Sequence, residues 1–314
     1  MDKNRLIVLT GPTAVGKTKL SIELAKKIGG EIISADSMQV YKYMDIGTDK
    51  ITPEKMDGVP HHLIDFLDPH EDFNVFTFQK LARKAIHDIS SRGKVPIIVG
   101  GTGFYIQAVI YDIDFTETDE DDTYRRELEE RVRQGEAHAL FEELKRIDPE
   151  SALLIHENNS KRVIRALEYY QKTKRPISEH NKEQRAKASA YDFIYFVLTD
   201  DRNLIYKRIE TRVDQMIKEG LVREVKTLLD MNIDRSATSM QGLGYREVIG
   251  YLDGEYDLER AVYLIKRNTR HFAKRQLTWF KREKDVTWID QKAFLGDDEK
   301  TLKEIMRIYE DKYL

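Results

Sequence analysis

An α/β fold, with a parallel sheet flanked by helices and an all-helical subdomain inserted into it, is predicted by three features of this 314-residue chain. First, the apolar run Leu6-Ile7-Val8-Leu9 is joined to an amphipathic stretch starting at Lys19 by Gly11-Pro12-Thr13-Ala14-Val15-Gly16-Lys17-Thr18. Strand, G-x-x-x-x-G-K-T and helix in that order form a phosphate-binding loop in its usual setting. Second, short β-rich runs alternate with helical stretches over residues 1–112 and return after 191. Third, strand-like runs vanish between 113 and 190, where helical periodicity takes over. Residues 1–112 and 191–314 therefore read as a core of the P-loop nucleoside-triphosphate-hydrolase type, and 113–190 as the insertion.

The loop's chemistry follows from its residue types. Its glycines let the backbone wrap an anion, and its N–H groups and the following helix start favour negative charge. Lys17 adds a full positive charge, and the Thr18 hydroxyl suits Mg²⁺. Which phosphate is bound stays open at this point, because kinases, hydrolases and some transferases share the loop.

Composition narrows the setting. Hydrophobic residues make up 40% and charged residues 34%, as in a soluble globular protein. No apolar run approaches the roughly 18–20 residues of a membrane span. The chain enters its first strand almost at once, so no secretory leader is expected and the cytoplasm is the expected location. Without cysteine there is neither a disulfide framework nor a thiolate metal site. The net charge of −3 argues against bulk capture of nucleic acid but leaves room for a local basic face.

Taken in order, the second strand spans 31–35 and delivers Asp36 to its carboxyl end, where ligands bind in open α/β sheets. Asp36 lies beside the loop if this strand neighbours the first. A proton acceptor, a metal ligand and a turn or cap aspartate are all compatible with that position. Residues 42–75 read as irregular, and adjacent His61 and His62 point apart and make a poor metal pair. A helix over 78–92 precedes a strand over 94–99 that ends in Gly100-Gly101. A nucleoside-triphosphate hydrolase often carries an aspartate there, and two glycines instead suggest close approach of backbone to a ligand.

Inside the insertion, Asp119-Glu120-Asp121-Asp122 reads as an acidic helix entrance before a helix over 124–133. Helices over 138–147, 151–155 and 161–172 follow, the last with Arg162 and Arg165 on one face, and 173–190 reads as basic loop. A strand over 191–198 and a helix through 218 return to the core. Arg208 and Arg212 share a face of that helix, as candidate phosphate clamps or as surface ion-pair partners. A glycine-punctuated turn over 239–246 precedes the longest helical pattern, 258–283, on which Ile265, Phe272 and Trp279 recur toward the core. Eight Lys and Arg against two Glu give that helix a local charge of +6, which favours a polyanion-binding face over a merely solvated one. A short strand over 286–289 and a polar helix from 298 close the chain.

The order and spacing of several stretches resemble the bacterial tRNA dimethylallyltransferases, the tRNA isopentenyltransferase family. They are the phosphate loop, Ile33-Ser34-Ala35-Asp36-Ser37-Met38-Gln39-Val40-Tyr41 with Met44-Asp45-Ile46-Gly47-Thr48, and Val99-Gly100-Gly101-Thr102-Gly103-Phe104-Tyr105. The likeness continues through 161–168, 208–212, 244–246 and 273–279 and covers nearly the whole chain. It implies transfer of a dimethylallyl group from dimethylallyl diphosphate to N6 of adenosine 37 in the tRNA anticodon stem-loop, with Mg²⁺. Gly11, Pro12, Thr13, Ala14, Val15, Gly16, Lys17 and Thr18 would then bind diphosphate, with Thr18 at the metal. Asp36 would act as general base, and Thr13 and Arg212 would assist at the diphosphate. Asp36, Ser37, Met38 and Gln39 would lie along the flipped adenine. Thr102, Arg125, Lys161, Arg162, Val163, Ile164 and Arg165 would contact tRNA, as would Gln241, Gly242, Leu243, Gly244, Tyr245 and Arg246. A monomer is expected, because tRNA must wrap the surface. The rival readings are an isopentenyltransferase acting on free adenine nucleotides, a small-molecule kinase with Asp36 as acceptor base, and a non-catalytic RNA-binding protein.

Overall fold

The computed structural model describes residues 3–115 and 123–314; the acidic stretch Asp119 to Asp122 lies outside them. The elements run β1 Arg5–Thr10, α1 Lys17–Ile28, β2 Gly30–Ala35, α2 Pro53–Met56, β3 His61–His62, α3 Val75–Ser91, β4 Val95–Gly100 and α4 Gly103–Ile110. Next come α5 Thr123–Arg133, α6 Ala137–Ile147, α7 Pro149–Leu154, α8 Ser160–Thr173 and α9 Ile177–Ala186. The chain then continues through β5 Asp192–Thr199, α10 Arg202–Glu219, α11 Leu221–Asp230, α12 Tyr245–Leu252, α13 Leu258–Phe280, β6 Val286–Asp290 and α14 Asp298–Tyr313. Two compact units result, Met1–Ile110 with Ala190–Leu314, and Tyr111–Ser189.

In the first unit six parallel strands are ordered β3-β2-β4-β1-β5-β6. Leu6 to Leu9 of β1 and Tyr195 to Leu198 of β5 are fully buried, as expected where helices cover both faces of a parallel sheet. The order corrects one premise of the sequence reading. β2 does not neighbour β1, because β4 lies between them and pairs with both. Asp36 and the phosphate loop therefore face each other across the end of β4.

Glycines make that approach possible. A Cβ on Gly100 would sit 2.3 Å from the Ala35 carbonyl oxygen, and one on Gly101 would collide with the Gln276 amide at 2.1 Å. The ends of β1, β2 and β4 thus form one rim, the usual ligand position in an open α/β sheet.

The second unit is helical. Leu128, Leu140, Phe141, Leu144, Val163, Ile164, Ala166 and Leu167 form its core, with α8 against α5 and α6. Asp148 caps α7 by accepting from the Ser151 N–H at 3.0 Å, and its other oxygen accepts from the Ser178 N–H at 3.0 Å. That second bond helps seat α9, which replaces part of the predicted basic loop. Its sequence, ISEHNKEQRA, buries only Gln184 and so carries no apolar stripe to read.

Candidate active site

The phosphate loop takes its shape from residues in the left-handed region: Gly11 at φ 146°, Ala14 at 63° and Gly16 at 97°. A Cβ on Gly11 would meet the Leu198 carbonyl oxygen of β5 at 2.5 Å, so the first glycine is required by packing as well as by φ. Gly16 offers α1 no side-chain cap, and the first turn holds no acidic residue. The N–H groups at this helix start therefore remain directed at whatever anion enters the loop.

Lys17 folds back over the loop, its Nζ donating to the carbonyl oxygens of Gly11 at 3.0 Å and Pro12 at 2.8 Å. Burial, with the Arg212 guanidinium nearby, pushes its ammonium down to about 8, against the opposite pull of Asp36 and Asp49. Arg212 reaches the loop from α10, donating to the Thr13 hydroxyl at 3.3 Å and pairing with Asp49 at 3.0 Å. Arg208, one turn earlier, pairs instead with Asp200 at 2.8 Å. Of the two clamp candidates, Arg212 is the one held at the phosphate loop.

Asp36 ends β2 in a turn of its own making. Its Oδ1 accepts from the backbone N–H groups of Met38 at 2.9 Å and Gln39 at 3.3 Å. Those bonds fix the carboxylate and leave Oδ2 without a partner among the described residues. Burial raises its pKa above the ordinary aspartate value, and the two N–H groups and Lys17 offset part of that rise. A carboxyl group held by one oxygen, with raised basicity on the other, is suited to taking up a proton.

Sequence reasoning missed Gln276. This side chain on α13 is 6% exposed. Its Oε1 accepts from the Thr13 N–H at 2.9 Å, and its Nε2 donates to the Gly101 carbonyl oxygen at 3.0 Å. One amide thus ties the phosphate loop to the end of β4. Its signals were membership of the 273–279 stretch and a polar residue in phase with the buried face Ala261, Ile265, Ala273 and Phe280. Phe272 and Trp279, expected on that face, are only partly buried. Gln276→Leu should strand both backbone groups, at about 1–3 kcal/mol for each one left unsatisfied. A lower urea midpoint with an unchanged m-value is the expected observation.

The remaining predicted contact residues are distributed unevenly. Gln39 is engaged internally: its Nε2 donates to the carbonyl oxygens of Thr48 at 3.1 Å and Asp49 at 3.3 Å. Met38 lies against Gly242, whose added Cβ would come 3.2 Å from its sulfur, so the 36–39 and 241–246 stretches meet. Thr102 opens α4, its N–H donating to the Ala35 carbonyl oxygen at 3.3 Å. Tyr245 is fully buried, and its hydroxyl donates to Glu224 at 2.7 Å. The same carboxylate accepts from the N–H groups of Asp45, Ile46 and Gly47 at 2.9, 2.7 and 3.0 Å. Tyr245 therefore braces the 45–47 loop, while Gln241 and Arg246 are the exposed members of 241–246.

On α13 the predicted basic face is partly balanced by α10, with Lys266 paired to Asp214 at 2.6 Å and Arg270 to Glu210 at 2.7 Å. Lys274, Lys281 and Arg282 are exposed, and none has an ion-pair partner among the described residues.

Within the helical unit, Val163 and Ile164 belong to its core, and Lys161 and Arg162 are exposed. Buried Glu168 gathers Arg125 at 2.8 Å, Lys172 at 3.4 Å and Arg165 at 3.5 Å. Burial alone would raise this carboxyl, but the Arg125 hydrogen bonds and the other cations hold it below the usual range.

A phosphate loop with its lysine and arginine, facing a fixed carboxylate across bare glycines, defines a P-loop group-transfer enzyme. The model of the IPP transferase family matches residues 39–283, and that of isopentenyl transferase matches residues 4–71. A tRNA dimethylallyltransferase of Lachnoclostridium phytofermentans is 59% identical over 307 residues, 98% of each chain. Another, from Geobacillus thermodenitrificans, is 50% identical over 305 residues, 97% of this chain and 95% of its own. Among solved structures, a tRNA isopentenylpyrophosphate transferase from Staphylococcus epidermidis superposes with a TM-score of 0.73 at 44% identity, covering 99% of this chain and 100% of that one. A eukaryotic dimethylallyltransferase acting on tRNA gives 0.79 at 33% identity, over 91% of this chain and 74% of that one. The chain belongs to the IPP transferase family, whose relatives named here are tRNA dimethylallyltransferases.

Proposed function

We propose that this protein transfers the dimethylallyl group of dimethylallyl diphosphate to N6 of adenosine 37 in the anticodon stem-loop of tRNA. The observation that carries the reading is the opposition of Asp36 to Lys17, Thr13 and Arg212 across the glycine end of β4. In the reaction, the bond from N6 to the allylic C1 forms and the C1–O bond to diphosphate breaks. The N6 proton passes to Asp36 Oδ2. Negative charge growing on diphosphate is met by Lys17, Arg212 and the N–H groups of the loop. The exocyclic amine is a weak nucleophile because its lone pair is delocalised into the ring, so positioning and proton removal both contribute. The adenine must leave its stack to reach a diphosphate in the loop, which is cheaper in an anticodon loop than in a duplex.

Thr18 is exposed at the head of α1, and the described residues contain no group of three His, Cys, Asp or Glu arranged for a metal. The Thr18 hydroxyl would hold Mg²⁺, an ion that commonly takes few protein ligands at phosphate sites. When bound, it supplies further positive charge at the leaving group. Lys161, Arg162 and Arg165 in the helical unit, and Lys274 on α13 with Lys281 and Arg282 just past its end, suit phosphate contacts along tRNA. No described helix is long and apolar enough to cross a membrane. We take the protein to be a cytoplasmic monomer.

The test is transfer of labelled dimethylallyl from its diphosphate to unmodified tRNA, AMP and ATP in parallel. Label in tRNA alone is expected. Label in AMP or ATP would assign the free-nucleotide reaction, and label in none would reject the transfer.

A further inference from the structure

A diphosphate site is a poor place for a carboxylate, yet Asp49 is held there. Its Oδ2 lies 3.0 Å from Arg212 Nη1, the nitrogen that also donates to the Thr13 hydroxyl at 3.3 Å. An anion entering beside Thr13 must compete with Asp49 for that nitrogen.

The backbone around Asp49 is tied on every side. Asp49 N–H donates to the Ile46 carbonyl oxygen at 3.1 Å, and Gln39 holds the carbonyls of Thr48 and Asp49. Lys50 anchors the next residue through Asp45 and Asp65, both at 2.7 Å, and through the Tyr41 carbonyl oxygen at 2.6 Å. Glu224 holds the N–H groups of 45–47. Only the Asp49 side chain, 52% exposed, is free to turn out to solvent. The loop thus presents a carboxylate to Arg212 that can be displaced without moving the backbone.

We propose that Asp49 is an internal counter-anion of the diphosphate site, which occupies Arg212 while diphosphate is absent and yields it when diphosphate enters. It rests on the reading of this loop as a diphosphate site. Without Asp49, the adjacent Lys17 and Arg212 cations would be less compensated, and an incoming anion would find Arg212 free. Asp49 therefore weakens diphosphate binding and favours release of the leaving group after transfer. A residue that served only to orient Arg212 would have the opposite effect, since its removal would weaken binding.

The test is calorimetric titration of the full chain with inorganic pyrophosphate, with and without Mg²⁺, for wild type, Asp49→Asn, Arg212→Ala and the double variant. Asparagine tolerates the φ of +51° at this position, so the loop is kept. Asp49→Asn is expected to bind pyrophosphate about three- to tenfold more tightly, as for removal of one partly exposed competing charge. In the Arg212→Ala background the gain is expected to disappear. Weaker or unchanged binding in Asp49→Asn, or a gain that survives without Arg212, would overturn the proposal. Lys17→Met separates the two readings. Pyrophosphate binding that depends on Lys17 but ignores Asp49 removes only the counter-anion. Binding that ignores both removes the diphosphate site with it.

Discussion

Asp36→Asn is expected to lower the single-turnover rate of dimethylallyl transfer by about 10²–10⁴-fold, the usual contribution of a positioned acid–base group. The amide oxygen can still accept the Met38 and Gln39 N–H groups, so the turn that ends β2 persists. What is lost is the basicity of Oδ2. Affinity for tRNA, measured by filter binding, should change little. The wild-type rate carries a further signature. Because burial raises the Asp36 pKa, the base is protonated, and the rate falls, at a higher pH than an ordinary carboxylate would impose. That acid limb should be missing from the residual rate of the asparagine variant. A variant with the full wild-type rate would remove Asp36 from catalysis.

Lys17→Met is expected to cost about 10²–10³-fold in turnover, the range for deleting one preorganised donor to developing negative charge. Pyrophosphate binding should weaken with it, whereas tRNA affinity should change little. The pH dependence has a definite sign. In the free protein, burial and the nearby Arg212 push the Lys17 ammonium down to about 8, well below an ordinary lysine. Bound diphosphate favours the ammonium form, so the complex keeps its proton to higher pH than the free protein. Above about pH 8, pyrophosphate binding should therefore take up protons and weaken as pH rises. Calorimetry in two buffers of different ionisation enthalpy measures the uptake, and Lys17→Met should abolish it. Binding without proton uptake at pH 8 to 9 would mean that Lys17 is not the group that meets the anion.

Both predictions concern residues legible in the chain before any fold was known, because their signals are local. The phosphate loop is eight consecutive residues, and a strand, a glycine turn and a helix start suffice to define it. Asp36 is legible for the same reason, as the residue that follows an apolar β-rich run. The helices over 161–172 and 258–283 announce themselves by periodicity, and in the structure Asn159 and Asp257 cap them by accepting from the N–H groups of Arg162 and Arg260. Other features were hidden by their composition. The polar α9 shows no apolar face.

By itself, then, the sequence determined the class of fold, the anion-binding loop and the carboxylate at a strand end. Tertiary structure alone decided how they meet. The insertion of β4 between β1 and β2 depends on pairing among strands far apart in the chain. Selection of Arg212 over Arg208 depends on which turn of α10 reaches Thr13. Gln276 acquires its role only by contacting Thr13, 263 residues away, and Glu224 by capturing three N–H groups nearly 180 residues distant. On α13 the expected seven-residue spacing drifts around the helix, because 3.6 residues per turn does not divide seven. Burial thus passes to Ala273, Gln276 and Phe280, leaving Phe272 and Trp279 at its margin. Hydrogen bonds that satisfy buried polar groups are made with whatever the fold brings near, and a linear chain records the partners without recording their proximity.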